Sequence, residues 1–214
     1  MDYIRFCALN FFLVLSLALN FNSAIANETV RIMLYGDSLM AGYGLSQDEG
    51  LKGALQSKFD GSDIKAYLIN ASVSGSTTSN GLSRIEWSLG ENPDVFVLCL
   101  GANDMLRGIG PEYTKTNLDK IITLAKSSGA KVVLAGMLAP SSMGSKYQQQ
   151  FDQIYPKLAA QHGIVFMPFL LEGVALNKEY LLKDFKHPNS LGVEVIANNL
   201  YPFVLQAIDE KLAN

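Results

Sequence analysis

Short apolar runs alternate along the chain with segments in which apolar residues recur every three or four positions. The runs are rich in Val, Ile, Leu and Phe with little polar alternation, which is typical of strands covered on both faces. They fall at about 30–36, 64–70, 95–101, 131–137 and 164–168. The intervening segments predict helices at about 48–59, 78–89, 112–127, 145–161 and 190–212. This alternation predicts an α/β protein, a three-layer α/β/α sandwich with a parallel sheet of about five strands.

The predicted topology brings several loops to one edge of the sheet. Right-handed crossovers place the carboxyl ends of all the strands on the same side. The residues that begin or precede those loops are Ser38, Asn70, Leu100, Met137 and Phe169. Pro156 and Pro202 lie inside two of the predicted helices, and we expect a kink at each.

Residues 1–26 have the pattern of a secretory signal peptide. Arg5 supplies a positive charge, an apolar segment runs from Phe6 to Phe21, and Ala24-Ile25-Ala26 fits a small-residue cleavage site. The apolar segment is short and interrupted for a membrane-spanning helix, which needs about 20 apolar residues. We therefore expect cleavage after about Ala26, a single domain over 27–214, and no stable membrane anchor afterwards.

Composition and charge narrow the class of protein. The 214 residues are 49% hydrophobic and 17% charged, which fits one globular domain with a full core. A formal net charge of -3 provides no basic field that would favour nucleic acid. Cleavage removes Cys7 and leaves Cys99 alone, so no intramolecular disulfide is expected. These features predict a bacterial periplasmic or secreted enzyme. We also expect a monomer or weak dimer and a small-molecule substrate.

Ser38 is the first candidate for chemistry. It lies in Gly36-Asp37-Ser38-Leu39, directly after the first predicted strand. A serine on a turn at the carboxyl edge of a parallel sheet is a candidate nucleophile if a base lies within reach. The tetrapeptide alone is weak evidence, because Gly, Asp and Ser are common turn residues.

His187 is the better of two candidate bases. Asp184 precedes it by three residues in the loop before the last predicted helix, so one turn can bring a carboxylate to the imidazole. His162 ends a predicted helix, where the helix dipole favours it, and we expect it to face solvent. The two histidines and the scattered carboxylates show no metal-ligand spacing, so we expect no metal and no cofactor.

Two loops offer donors for an oxyanion, the negatively charged oxygen of an acyl-transfer intermediate. Gly75 follows the second predicted strand and supplies a backbone N–H, and Asn103 follows the third and supplies a side-chain amide. The Ser38 N–H would be a third donor. Each feature alone could be an ordinary turn. All of them fall in loops that the predicted sheet brings to one edge, which favours serine-dependent acyl chemistry.

The same positions resemble the sequence blocks of the GDSL, or SGNH, hydrolase family. The blocks are Gly36-Asp37-Ser38-Leu39, Gly75, Gly101-x-Asn103-Asp104 and Asp184-x-x-His187-Pro188. The resemblance covers the mature chain and implies a flavodoxin-like SGNH hydrolase fold. It also implies Ser38 as nucleophile, Asp184 and His187 as the rest of a triad, and Ser38, Gly75 and Asn103 as oxyanion donors.

Within that family, residues 36–45 and 70–75 are similar to a bacterial periplasmic branch of acyl-CoA thioesterases, lysophospholipases and arylesterases. The resemblance therefore implies hydrolysis of carboxylic esters or thioesters through an acyl-enzyme. That branch usually has Asp-Gly-Ile-His in its last block, whereas Phe185 and Lys186 stand between Asp184 and His187 here.

Apolar residues on the loops of the active edge are candidates for an acyl pocket, although they could simply cap the core. They are Tyr43, Met105, Leu106, Ile109, Met137 and Phe185. A cell-envelope carbohydrate deacetylase of the same family is an alternative, and it would need a flat polar cleft with exposed aromatic residues. A non-catalytic envelope binding module is another. A flavodoxin-like binding protein is disfavoured, because Asp37 would repel a phosphate dianion beside Ser38.

Overall fold

A five-stranded parallel sheet forms the centre of the described chain, with strand order β2-β1-β3-β4-β5. The structure is a computed structural model that describes residues 29–213, so the predicted signal peptide lies outside the described residues. The strands are β1 (Val30–Gly36), β2 (Ala66–Asn70), β3 (Val95–Cys99), β4 (Lys131–Ala135) and β5 (Val165–Met167). Every residue of β3 and most residues of β1 and β4 are buried, as the unbroken apolar runs predict.

Helices cover both faces of the sheet and complete three layers. The helices are α1 (Ser38–Ala41), α2 (Leu51–Asp60), α3 (Thr78–Leu89), α4 (Ala102–Leu106), α5 (Pro111–Ser127), α6 (Ser145–Asp152), α7 (Ile154–His162) and α8 (Ser190–Leu212). α2 packs against α8 on one face, and α5 packs against α3 and α7 on the other. Short 3-10 turns occur at Ser141–Met143 and Lys178–Tyr180. The predicted α/β/α sandwich is confirmed.

The order of the strands fixes where a site can form. The chain leaves β1 in one direction to β2 and later in the other direction to β3, β4 and β5. Such a reversal opens a crevice at the carboxyl ends of the two central strands. Gly36 at the end of β1 lies beside Cys99 at the end of β3, so the loops that follow them begin side by side.

The fourth predicted helix differs from the prediction. It is two helices, α6 and α7, that meet at Gln153, instead of one helix kinked at Pro156. Pro156 lies in the first turn of α7, where a missing N–H breaks no intrahelical bond. Helix α8 continues through Pro202 without a break. α1 and α4 were not predicted, because helices of four and five residues carry no periodic pattern.

α8 is long and apolar enough to span a bilayer by length and composition. In the structure it packs against β3, β4 and β5 instead, and Val193, Ile196 and Leu200 are buried. Its apolar character is accounted for by the core of the domain.

Candidate active site

Ser38, His187 and Asp184 form a hydrogen-bonded chain at the carboxyl edge of the sheet. Nε2 of His187 lies 2.9 Å from Oγ of Ser38, and Nδ1 lies 2.6 Å from Oδ2 of Asp184. Ser38 begins α1 directly after β1, whereas the other two residues lie in the loop before α8. The crossovers of the sheet thus join residues that are 149 positions apart in the chain.

The hydrogen bonds of Asp184 determine the tautomer of His187. An ionised carboxylate can only accept, so the imidazole proton sits on Nδ1 and leaves Nε2 to accept from the Ser38 hydroxyl. The backbone N–H groups of Lys186 and His187 both donate to Oδ1 of Asp184 at 3.0 Å. The hydrogen bond from His187, with these two backbone bonds, holds the pKa of Asp184 well below its usual range. The carboxylate therefore stays ionised wherever the imidazole is to act as a base.

Asp37 connects the serine turn to the loop after β3. One carboxylate oxygen accepts the Leu39 N–H at 3.0 Å and caps α1, and the other accepts from Nδ2 of Asn103 at 3.2 Å. The side chain is 1% exposed, and this burial raises the pKa of Asp37 to about 6. Asp37 was not predicted to have this role. The available signal was an aspartate between the first predicted strand and the serine, since aspartate favours turns and helix N-termini.

The three expected oxyanion donors follow the ends of β1, β2 and β3: Ser38 begins α1, Gly75 lies in a loop, and Asn103 lies in α4. Asn103 lines the cleft, and its amide keeps one N–H beyond the bond to Asp37. Gly75 has a φ of +79°, a left-handed conformation that favours glycine. Its carbonyl accepts from Nη2 of Arg107 at 2.9 Å, and Val73 in the same loop donates to the carbonyl of Gly36 at 3.1 Å. These bonds hold the Gly75 loop against the end of β1 and the end of α4.

A cleft of about 520 Å³ opens beside Ser38. Met105, Leu106 and Met137, three of the residues expected in an acyl pocket, line it. Further apolar lining that the sequence did not single out for this role comes from Leu39, Ala102, Ala139, Pro140, Phe169, Leu171, Ala175 and Leu176. Lys186 also lines the cleft. The lining of the cleft beside Ser38 is therefore mainly apolar.

The other three expected pocket residues lie elsewhere on this edge. The ring of Tyr43 packs on the imidazole of His187, with 4.4 Å between the ring centroids. Ile109 is half-buried, and its carbonyl accepts from the hydroxyl of Tyr147 at 2.8 Å. Phe185 is 60% exposed, in a left-handed conformation with φ of +56°. None of the three lines the cleft beside Ser38.

His162 does not face solvent, which corrects the prediction for it. Its side chain is only 13% exposed, and Nε2 lies 2.6 Å from Oδ1 of Asp119 on α5. The pair joins two helices on the same face of the sheet, and that partner on a distant element could not be read from the local sequence. Among residues 29–213, no group of three or more His, Cys, Asp or Glu side chains could hold a metal ion.

Comparison with known proteins identifies the family. The model of the GDSL-like lipase/acylhydrolase family matches residues 34–195, which include Ser38, Asp184 and His187. The chain belongs to this family. The expected membership, the hydrolase class and the SGNH hydrolase fold are thereby confirmed.

Two named relatives and one solved structure are similar to this GDSL-like hydrolase. It is 40% identical over 179 residues to an arylesterase of Vibrio mimicus, covering 82% of this chain and 88% of the relative. It is 36% identical to a thioesterase 1/protease 1/lysophospholipase L1 of Escherichia coli, covering 83% and 82%. A solved structure of the psychrotrophic esterase EstA from Pseudoalteromonas sp., inhibited by monoethylphosphonate, has a TM-score of 0.78. That match has 30% identity and covers 86% of this chain and 99% of EstA.

Proposed function

We propose that this GDSL-like hydrolase is a serine esterase that cleaves carboxylic esters and thioesters through Ser38, His187 and Asp184. One observation carries the proposal: a single imidazole lies 2.9 Å from the Ser38 hydroxyl and 2.6 Å from a carboxylate. This is the arrangement in which histidine can take the serine proton while aspartate holds the imidazole in the right tautomer. The names of the relatives, arylesterase and thioesterase 1/lysophospholipase L1, agree with such substrates.

The proposed reaction has two half-reactions. Oγ of Ser38 attacks the carbonyl carbon while Nε2 of His187 takes the hydroxyl proton. The intermediate collapses to an acyl-serine, and the same proton goes to the leaving alcohol or thiol. A water molecule then attacks the acyl-serine with His187 as base, which releases the carboxylic acid and restores Ser38.

The negative charge on the intermediate requires fixed donors, and we assign this role to the N–H groups of Ser38 and Gly75 and the Asn103 amide. The bond from Asn103 to Asp37 supports the assignment, because it restrains the amide beside the serine turn before substrate binds. We expect Asn103→Ala to lower kcat by about 10²–10³-fold, as loss of one such donor does elsewhere.

The cleft supports acyl substrates over carbohydrate ones. Its apolar lining, including the flexible side chains of Met105 and Met137, suits an acyl chain and can adapt to several lengths. The deacetylase alternative calls for a flat polar cleft with exposed aromatic residues. Trp87, the single tryptophan of the chain, is 85% exposed on α3 and does not line the cleft. We further propose export of the enzyme, on the basis of the signal-peptide pattern at residues 1–26.

A chain-length series of p-nitrophenyl esters tests the proposal. The purified enzyme is expected to hydrolyse short to medium acyl chains, and Ser38→Ala is expected to abolish turnover. Ser190→Ala is a matched control, since Ser190 begins α8 outside the cleft. Wild-type rates in Ser38→Ala would refute the proposed nucleophile. Thioesters and lysophospholipids measured alongside would identify the preferred leaving group.

A further inference from the structure

Lys186 is an exposed lysine that borders a cleft whose other ionisable groups are engaged. The residue lines the cleft together with Asp37 and His187. The buried carboxylate of Asp37 accepts from Leu39 and Asn103, and both ring nitrogens of His187 have partners. Among the described residues that line the cleft, Lys186 is thus the ionisable one whose charged group is left for a ligand.

The backbone holds Lys186 in place while its side chain stays available. Its N–H donates to Oδ1 of Asp184 at 3.0 Å, which ties the residue to the proposed triad. Within residues 29–213, the ammonium group makes no hydrogen bond or ion pair. The neighbouring cation Lys178 differs, because its ammonium lies over the ring of Phe185, 5.6 Å from the centroid.

The apolar walls increase the effect of this charge. A cation in a cleft with low-dielectric walls attracts anions more strongly than one on an open surface. The chain as a whole carries a formal charge of -3, so its overall field does not favour anionic ligands. Any preference for them must therefore come from a local cation at the cleft.

We propose that Lys186 binds a carboxylate or phosphate group of the substrate, so that the enzyme prefers esters bearing an anionic group to their neutral counterparts. The inference rests on the proposed function, because it concerns substrates that react at Ser38. The anionic group can belong to the acyl part or to the leaving group, and the two cases call for separate substrates. In either case an ammonium-to-oxyanion hydrogen bond supplies the preference.

Two matched substrate pairs test the proposal. The first pair is 4-nitrophenyl hydrogen glutarate and 4-nitrophenyl pentanoate, which differ by a carboxylate on the acyl part. The second is 4-butyryloxybenzoate and its methyl ester, which differ by a carboxylate on the leaving group. The measured quantity is the ratio of kcat/KM for the anionic ester to that for the neutral ester, at low and high NaCl.

Lys186→Met is expected to lower this ratio about fivefold to tenfold in one of the pairs, the size of one partly exposed charged hydrogen bond. Lys186→Arg should retain most of the ratio. NaCl should lower the ratio in the wild type more than in Lys186→Met, because salt screens the attraction. Lys183→Met, on the same loop but outside the cleft, is the control and should leave the ratio unchanged.

An unchanged ratio in Lys186→Met for both pairs would overturn the proposal, as would an equal fall in Lys183→Met. These failures differ from failure of the proposed function. If the wild type hydrolyses the neutral esters and Ser38→Ala does not, the esterase assignment stands and only the role of Lys186 is wrong.

Discussion

Two histidine–aspartate pairs of similar geometry lie at different places in this molecule. The nitrogen-to-oxygen distance is 2.6 Å in both, and the side chains of His162 and His187 are 13% and 20% exposed. His187 lies at the carboxyl edge of the sheet, where its second ring nitrogen meets the hydroxyl of Ser38. His162 ends α7, just before the amino end of β5, and its second ring nitrogen has no hydrogen-bond partner within residues 29–213.

The comparison teaches that a carboxylate-bound imidazole is not by itself a catalytic feature. Distance and exposure are nearly equal in the two pairs, so neither distinguishes them. The pairs differ in two ways within the described part of the chain: only His187 contacts a serine hydroxyl through its second ring nitrogen, and only His187 lies at the carboxyl edge of the sheet. Ligands bind parallel α/β sheets at that edge. We therefore expect one pair to carry catalysis and the other to join two helices.

Removal of each imidazole is the strongest way to break the comparison. His187→Ala is expected to lower kcat by about 10⁵–10⁶-fold, because the proposed general base is lost. His162→Ala should leave kcat for the same p-nitrophenyl ester unchanged. Steady-state kinetics on both variants checks this. A comparable loss of kcat in the two would show that position at the carboxyl edge of the sheet does not determine which histidine is catalytic.

Replacement of each aspartate by asparagine tests the same difference between the two pairs, through the carboxylate that each histidine contacts. Asp184→Asn should lower kcat about 10⁴-fold, because an amide can donate to Nδ1 and favour the wrong tautomer. Asp119→Asn changes the same chemical group in the other pair and should retain wild-type kcat. Near-normal turnover by Asp184→Asn would contradict the role given to this carboxylate.

Stability should show the reverse order for the two histidines. His162→Ala is expected to lower the free energy of unfolding by about 1 kcal/mol, because the half-buried contact between α5 and α7 is lost. His187→Ala should cost less, since its partner Asp184 lies in an exposed loop. Urea denaturation followed by circular dichroism measures both free energies of unfolding. A larger loss in His187→Ala than in His162→Ala would contradict the structural role given to His162.

Acid sensitivity is the smallest expected effect. Because hydrogen bonds lower the pKa of Asp184 in the folded state, its contribution to stability is present above the ordinary aspartate pKa. That contribution is lost as the pH falls through the range below about 4. Asp184→Asn should therefore lose less stability than the wild type between pH 5 and the acid limit of folding. Parallel curves of unfolding free energy against pH for the two proteins would contradict this linkage.

Much of the fold could be predicted because buried parallel strands leave a strong pattern. The first strand, 30–36, has the bounds predicted for it, and the others begin or end within about two residues of their predicted bounds. The crossover rule then brings the loops that hold Ser38, Gly75 and Asn103 to one edge before any coordinates are known. The break at Gln153 could not be predicted in the same way, since apolar periodicity continues across it.

Parts of the site depended on side-chain packing that no local pattern encodes. Tyr43 lies over His187 instead of lining the cleft, although its spacing in the chain permits either position. The positive φ of Phe185 turns the chain between Asp184 and His187 at a residue type that gives no warning of it. The bond from Asp37 to Asn103 joins two motifs that were recognised separately and spans 66 positions in the chain.

Covalent trapping tests the central claim most directly. A fluorophosphonate probe reacts with a serine whose hydroxyl is activated by a neighbouring base. Mass spectrometry of the digested wild-type protein should then find one adduct, on the peptide containing Ser38, with little or none in His187→Ala and full labelling in His162→Ala. An unlabelled wild type, an adduct on another serine, or equal labelling in His187→Ala would contradict the assignment of Ser38 and His187.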